Sequence, residues 1–352
     1  MISKMTTEFT SRIEYNILTP RYPLPRAQWN AMGFSEKLDA KLLGGTLVRE
    51  AIRKFRPDII YSDNPLYVSQ YRLTHILSRK IPVVLHLRGD LWREHLAAFG
   101  CSTLRTRLLF LQEYSFDWSA VTFCSEVTPI CRWLEQIVRH YVPGKRTEVV
   151  YQGVDAQQFK PMAGFEAVAP AVAIIQNHSI LPKVQGLLNF KRIIQKLPGV
   201  NFYIAEGEAW AQQFLSLVKS QYDGIPNVHF VSGMTSSQMV SKMVTACDCY
   251  VLASGLDCCP TTVLEASLLK KPVLASRVGG VPEIVEDGYT GWTIDNENLS
   301  GWVNKIQMLT EDARLCKRLG RQGKEWVTRR FGWPAIAKQV EHLLVREVER
   351  NS

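Results

Sequence analysis

Two carboxylates, Asp257 and Glu265, bracket a Cys-Cys-Pro turn in the stretch LASGLDCCPTTVLEASLLKKPVLASRVGGVPEIVEDGYTG (Leu252–Gly291). A second turn, Gly279-Gly280, runs into Val281-Pro282-Glu283. Each turn follows a β-like run and precedes a helix-like run. That arrangement aims two helix N-termini at one place, which suits a diphosphate. Carboxylates on either side can accept hydrogen bonds from hydroxyl groups. Ribose, diphosphate and sugar, joined in that order, are the groups of a nucleotide-sugar.

The elements around these turns alternate between β-like and helix-like runs, the pattern of an α/β chain with parallel sheets. In the first half, strands are expected at Arg12–Leu18, Asp58–Ser62, Ile81–Leu87, Val121–Cys124 and Glu148–Tyr151, with helices at Phe34–Phe55 and near Tyr67–Ser78. A second series begins at Ala171: Ala171–Gln176, Asn201–Ala205, Asn227–Val231, Cys249–Ala253 and Pro272–Ser276. Between the series lies KPMAGFEAVAP (Lys160–Pro170), with two prolines and a glycine, read as a linker. After Pro334, Ala335–Val348 has the pattern of an amphipathic closing helix. The expected organisation is a domain over 1–160, a second over 171–333, and a terminal helix over 334–352 that packs back on the first. Two doubly wound domains would face a cleft, with ligands outside the carboxyl ends of the strands.

Composition narrows the partners. The chain has 352 residues, 46% hydrophobic and 21% charged, with a formal net charge of +9. No apolar run approaches the ~18 residues of a membrane span, and MISKMTTEFT lacks the apolar core of a signal peptide. Eight cysteines without a C-x-x-C pair argue against a zinc site or a disulfide framework and for a reduced, cytoplasmic setting. The positive charge suits phosphates, an anionic membrane face or nucleic acid. Nucleic acid rests on charge alone, because the basic residues are dispersed and no RNA-binding aromatic motif is present.

Five landmarks together resemble the retaining glycosyltransferases of family 4, which have the GT-B fold of two Rossmann-like domains. They are YQGVDAQQF (Tyr151–Phe159), Lys183 with Gly186, NVHFVSG (Asn227–Gly233), the Asp257/Glu265 segment, and GGVPEIVEDGYTG (Gly279–Gly291). The resemblance implies transfer of a sugar from a nucleotide donor with retained anomeric configuration, without a bound metal or other cofactor. Glu265 ends the family's motif of two Glu separated by seven residues and is implied to bind the ribose hydroxyls. Asp257 stands where the first Glu is usual and is implied to hold the donor sugar. Lys183 is implied to meet the diphosphate, while Asn177 occupies the place of an Arg and carries no charge. Gly186, Gly233, Thr261, Thr262, Gly279, Gly280 and Glu283 complete the implied donor side.

Each residue also has a plainer reading. Thr262 and Glu265 form a capping box, and Asp257 fits a turn. Lys183 alone would be a surface lysine, and Glu283 complements a helix dipole. In the first domain, relatives place a His at the end of a strand like IPVVLHLRGD. Here that position is Arg88, with His86 two residues earlier and so on the same strand face; Asp90 follows. A histidine buried among apolar neighbours is the alternative for His86. Relatives open with a strand, a Gly-rich turn and a helix; here Arg12–Leu18 reads as the strand after these, so either the first domain is shortened or the chain is a truncated version of a longer one. Trp92, Arg93, Arg105, Arg107, Leu108, Leu109 and Phe110 suggest a basic and apolar surface; relatives with lipid-linked acceptors dock on the inner membrane leaflet through such surfaces, and an ordinary helix with a buried apolar face is the plainer and preferred reading. The expected acceptor is a glycan or a lipid-linked glycan. A binding subunit of the same fold without turnover, and a nucleotide-sugar epimerase, are the competing readings.

Overall fold

The computed structural model describes residues 52–54, 56–63, 81–89, 115, 118–178, 180–207, 214–234 and 236–352. Expectations for Arg12–Leu18, nearly all of Phe34–Phe55, Tyr67–Ser78, Asp90 and the 92–110 stretch lie outside these residues. The chain divides into two compact units: Met1–Tyr151 with Trp333–Ser352, and Gln152–Gly332.

The unit Gln152–Gly332 holds a six-stranded, wholly parallel sheet in the order β6-β5-β4-β7-β8-β9. Its strands are β4 (Ala171–Ile174), β5 (Asn201–Ala205), β6 (Val228–Val231), β7 (Cys249–Leu252), β8 (Val273–Ser276) and β9 (Gly291–Ile294). The strands AVAI, CYVL and VLAS are buried at every residue, as expected where helices cover both faces of a parallel sheet. Between them run α2 (Leu181–Ile194), α3 (Leu215–Tyr222), α4 (Ser237–Ala246) and α5 (Thr261–Leu268), followed by α6 (Leu299–Glu311) and α7 (Ala313–Phe331); α1 (Arg132–Tyr141) belongs to the other unit. In α2, Val184, Leu187, Phe190 and Ile194 recur at helical spacing and pack with Val172, Phe202, Val251 and Trp302 in one core.

The other unit shows a parallel sheet β1-β2-β3 of Ile60–Ser62, Val83–Leu87 and Glu126–Pro129. The last helix, α8 (Trp333–Asn351), lays Trp333, Ile336, Val340 and Leu343 on Val84 and Val150. At its far end Arg346 bonds Glu126 at 2.9 Å and Glu148 at 2.6 Å, and Arg146 meets the fully buried Glu347 at 2.7 Å.

Several expectations are corrected. Val121–Cys124 is no strand: residues 118–123 are helical, and the buried positions Ala120, Val121 and Cys124 follow helical spacing. The strand comes two residues later and opens on Glu126, a charged residue tolerable there because of Arg346. Glu148–Tyr151 runs beside β3, with Glu148 N donating to Val127 O at 3.2 Å and Val150 N to Pro129 O at 3.0 Å, but forms no ladder. The 160–170 stretch is not the boundary, which falls at Tyr151/Gln152. Phe159 is buried, Met162 N meets Thr245 Oγ1 and Val168 N meets the Tyr203 hydroxyl, so the stretch packs as part of the second unit.

Candidate functional site

The order of the six-stranded sheet reverses between β4 and β7. In an open parallel sheet the loops leaving the carboxyl ends on either side of such a reversal splay apart and leave a crevice. The loop after β4 carries Asn177 and leads to Lys183. That after β7 carries Asp257, and the loop after β8 carries Gly279 and Gly280. Three neighbouring strand ends therefore bring these residues together.

Close backbone contact fixes Lys183 beside Asp257. A Cβ on Gly186 would overlap the Ser254 carbonyl carbon and reach within 2.6 Å of its Cα. The first turns of α2 thus lie directly on the Ser254-Gly255 backbone, where Gly255 N donates to Lys183 O at 3.4 Å. Gly186 therefore serves packing, which is how it positions the site. Lys183 Nζ lies 3.7 Å from Asp257 Oδ1, with side chains 19% and 14% exposed. Burial pushes the Asp257 carboxyl above its ordinary range, opposed chiefly by the Lys183 ammonium. Cys258 N also donates to Oδ1, at 3.1 Å.

Gly280 N donates to the Asp257 carbonyl at 3.1 Å, tying the β8 loop to the β7 loop. This corrects one expectation: the Gly280 amide is spent within the protein rather than open to a diphosphate. Gly279, at φ +51°, makes the left-handed step that allows the tie. The segment Val281–Glu283 is a single 3₁₀ turn, so it offers little helix dipole, and Glu283 lies half-buried in it.

Glu265 is the most perturbed carboxylate at these loops. It sits in the second turn of α5, takes a hydrogen bond from Thr261, and has no cation within ion-pair range among the described residues. Burial raises its pKa to about 7. The capping-box expectation fails: the N-cap is Pro260, without a side-chain cap. Thr262 instead faces the buried Tyr250, whose hydroxyl donates to Ile175 O at 2.7 Å and lies 2.7 Å from Thr262 Oγ1. No motif marks Tyr250; it reads as one more apolar residue of a buried strand.

A further signal is visible only in the structure. Helices α1, α4, α6 and α7 are capped by Cys131, Ser236, Asn298 and Asp312 side chains. Helices α2, α3 and α5 have no side-chain cap, and of these α2 and α5 open at the crevice. Pro182 has no N–H, and Lys183 N and Val263 N donate to Ile180 O at 3.0 Å and Pro260 O at 3.2 Å, which leaves Leu181 N of α2 and Thr261 N and Thr262 N of α5 as the natural donors for an anion. Lys183, at a helix N-terminus, adds a cation where the dipole already favours negative charge.

Gly233 stands apart. It follows the edge strand β6, two strands from β4, at φ +73°. In the other unit, His86 and Arg88 are not presented together as the two-residue spacing suggested. His86 is fully buried inside β2, bonded through Nδ1 to Thr128 Oγ1 at 3.1 Å, with no partner for Nε2 among the described residues. Burial drives its pKa down to about 3. Arg88 lies past the strand end, half-exposed, 3.8 Å from Asp63. The ladder that buries one stops before the other.

Residues 182–326 match the family model of glycosyl transferases group 1. Among curated proteins, the sulfoquinovosyl transferase SQD2 of Arabidopsis thaliana is 20% identical over 335 residues, covering 88% of this chain. The chain spans 60% of that relative's length. Among solved structures, sucrose-phosphate synthase from Thermosynechococcus elongatus superposes with a TM-score of 0.71 at 17% identity, over 88% of this chain and 78% of the other. Anabaena Alr3699/HepE, solved with UDP-glucose, gives 0.66 at 20% identity over 85% and 82%. The fold is accordingly GT-B, α/β with two Rossmann-like units.

Proposed function

We propose that this chain is a glycosyltransferase of family 4 type, moving a hexose from a nucleoside-diphosphate sugar to a hydroxyl of a glycan or lipid-linked glycan with retained configuration. The observation that carries the reading is the meeting of Asp257, Lys183 and two uncapped helix N-termini where the sheet order reverses, within the matched segment.

In this reading Glu265 accepts from the ribose hydroxyls. The diphosphate lies over the first turns of α2 and α5, with Lys183 swung from Asp257 to a phosphate oxygen. Asp257, released, takes a sugar hydroxyl. The bond from the anomeric carbon to the phosphate oxygen breaks with its electron pair on the diphosphate. The acceptor oxygen bonds to the same face of that carbon as its hydroxyl proton passes to the departing phosphate oxygen. Fixed donors stabilise the charge gained by the leaving group, and such preorganised electrostatics lower the barrier more than any other single effect in this kind of chemistry. No metal ion is assigned to that task. Asn177 donates hydrogen bonds but adds no charge, which favours one second reading: a subunit that binds donor without turning it over.

A thermal-shift panel of UDP, GDP, ADP and their sugars on the wild type and on Glu265→Gln tests the donor site. A ligand at ~100 times its Kd stabilises by about 2.7 kcal/mol. One nucleotide should shift the wild type clearly more than the variant; no shift from any of them refutes the reading. Product anomer analysis by NMR then tests retention, and binding without transfer selects the second reading.

A further inference from the structure

Helix α7 carries seven Lys or Arg residues against one Glu in ARLCKRLGRQGKEWVTRRF. Arg314, Lys317, Arg318 and Arg321 are exposed and recur at spacings of three and four, so they form one row on the helix surface. Among the described residues no carboxylate pairs with any of the four. Like charges at these spacings repel, and Arg314 stands in the first turn, against the helix dipole. Asp312 at the N-cap and Glu325 are the acidic residues set against these seven cations.

The row is also held rigidly outward. A Cβ on Gly320 would overlap the Lys270 carbonyl oxygen, and one on Gly323 would touch Ser267 at 3.6 Å. The glycine face is therefore seated against α5 and its C-terminus, and Leu319, Val327 and Phe331 are buried. Further along, Arg330 covers the Trp326 ring at 4.4 Å. The exposed Tyr289 meets that ring edge-on at 6.4 Å. From Arg314 to Arg321 the row extends ~10 Å.

We propose that this row docks the Gln152–Gly332 unit on an anionic lipid surface. Cations spaced along a straight helix match an extended sheet of charge; a compact free anion would require them to converge. An RNA strand would call for aromatic faces among the cations, and no exposed position from Ala313 to Arg321 carries one. The surface is distinct from the 92–110 stretch singled out in the sequence, and it requires no sugar transfer.

The test is co-sedimentation of the full chain with phosphatidylcholine vesicles, with and without phosphatidylglycerol. It compares wild type, Arg314→Gln/Lys317→Gln/Arg318→Gln/Arg321→Gln and the single Arg318→Glu. Each cation near an anionic surface contributes about fivefold in partition, equivalent to ~1 kcal/mol. The quadruple variant should lose several hundredfold and Arg318→Glu more than fivefold. Binding should vanish at ~1 M salt, where the Debye length is about 3 Å, and be absent on pure phosphatidylcholine. Circular dichroism checks that the variants stay folded. Equal binding by wild type and quadruple variant overturns the proposal, as does poly(U) binding without vesicle binding. If the variants unfold, wild-type vesicle selectivity and salt response decide it.

Discussion

The ends of β7 and β2 carry the polar side chains that the sequence singled out most strongly, yet they are built on opposite principles. Beyond β7, Asp257 is gripped through its backbone by Gly280 and through its carboxylate by Cys258 and Lys183, while remaining 14% exposed. Glu265 nearby is desolvated without a counter-charge. These groups are strained electrostatically but reachable, the state in which a hydroxylated anionic ligand relieves most. In β2, His86 is sealed into the sheet with no partner for Nε2 among the described residues, and Arg88 rests in a half-exposed pair with Asp63. Perturbed pKa values occur in both places. Only where perturbation and access coincide does the shift point to ligand chemistry.

The strongest way to break the β7 side is Gly186→Ala. Its methyl would overlap the Ser254 backbone, so we expect a loss of about 3 kcal/mol in urea unfolding and a weakened nucleotide-induced thermal shift. Unchanged stability would mean that the loop is not held by this contact.

Glu265→Gln should weaken nucleotide binding ten- to a hundredfold, from the loss of a charged acceptor worth about 1.5–3 kcal/mol. Its stability effect has a defined sign. The folded pKa of about 7 lies above the ordinary 4.5, so the native state binds the extra proton between those values. Wild-type stability therefore falls as pH rises from 4.5 through 7. Glutamine removes that loss, so the variant should be the more stable at pH 8, by about 2 kcal/mol after discounting partial exposure. The gap should close by pH 4.5; a gap independent of pH would refute the desolvated carboxylate.

Tyr250→Phe sharpens the comparison by leaving charges untouched. It strips a buried hydroxyl from Ile175 O and Thr262, costing about 1–2 kcal/mol. If Tyr250 positions α5 under the donor, the donor KM should rise severalfold with kcat little changed, and Tyr250→Trp should not restore it. Equal KM would leave Tyr250 with a purely structural part. The smallest effect belongs to Arg88→Ala: an exposed pair is worth less than about 1 kcal/mol, and stability should hardly move. A tenfold fall in turnover at unchanged stability would return the β2 end to the chemistry and erase the contrast.

Much of this was legible in the residues alone. Continuous apolar runs such as AVAI and CYVL announce parallel strands, and Asp257, Glu265 and the glycine pair mark the turns between them. The remainder depends on partners distant in the chain. Glu126 opens a strand because Arg346 reaches it, and local polarity argues against any strand there. The Gly280 amide is occupied by a carbonyl more than twenty residues away. Tyr250 gains its importance from a hydroxyl that no periodicity reveals. The cations of α7 are scattered in the linear text, and only winding at 3.6 residues per turn gathers them into a row.

One consequence of the chain's path concerns its synthesis. Val154 N donates to Phe331 O at 2.8 Å, so the unit Gln152–Gly332 closes on itself before the polypeptide continues. Trp333 and the rest of α8 emerge after that unit, yet they cover Val84 and Val150, made long before. The usual vectorial order, N-terminal module first, is thus inverted for these contacts: Gln152–Gly332 can mature on the ribosome while Val84 and Val150 still wait for α8. A nascent chain stalled before Trp333 is the species on which a chaperone would act.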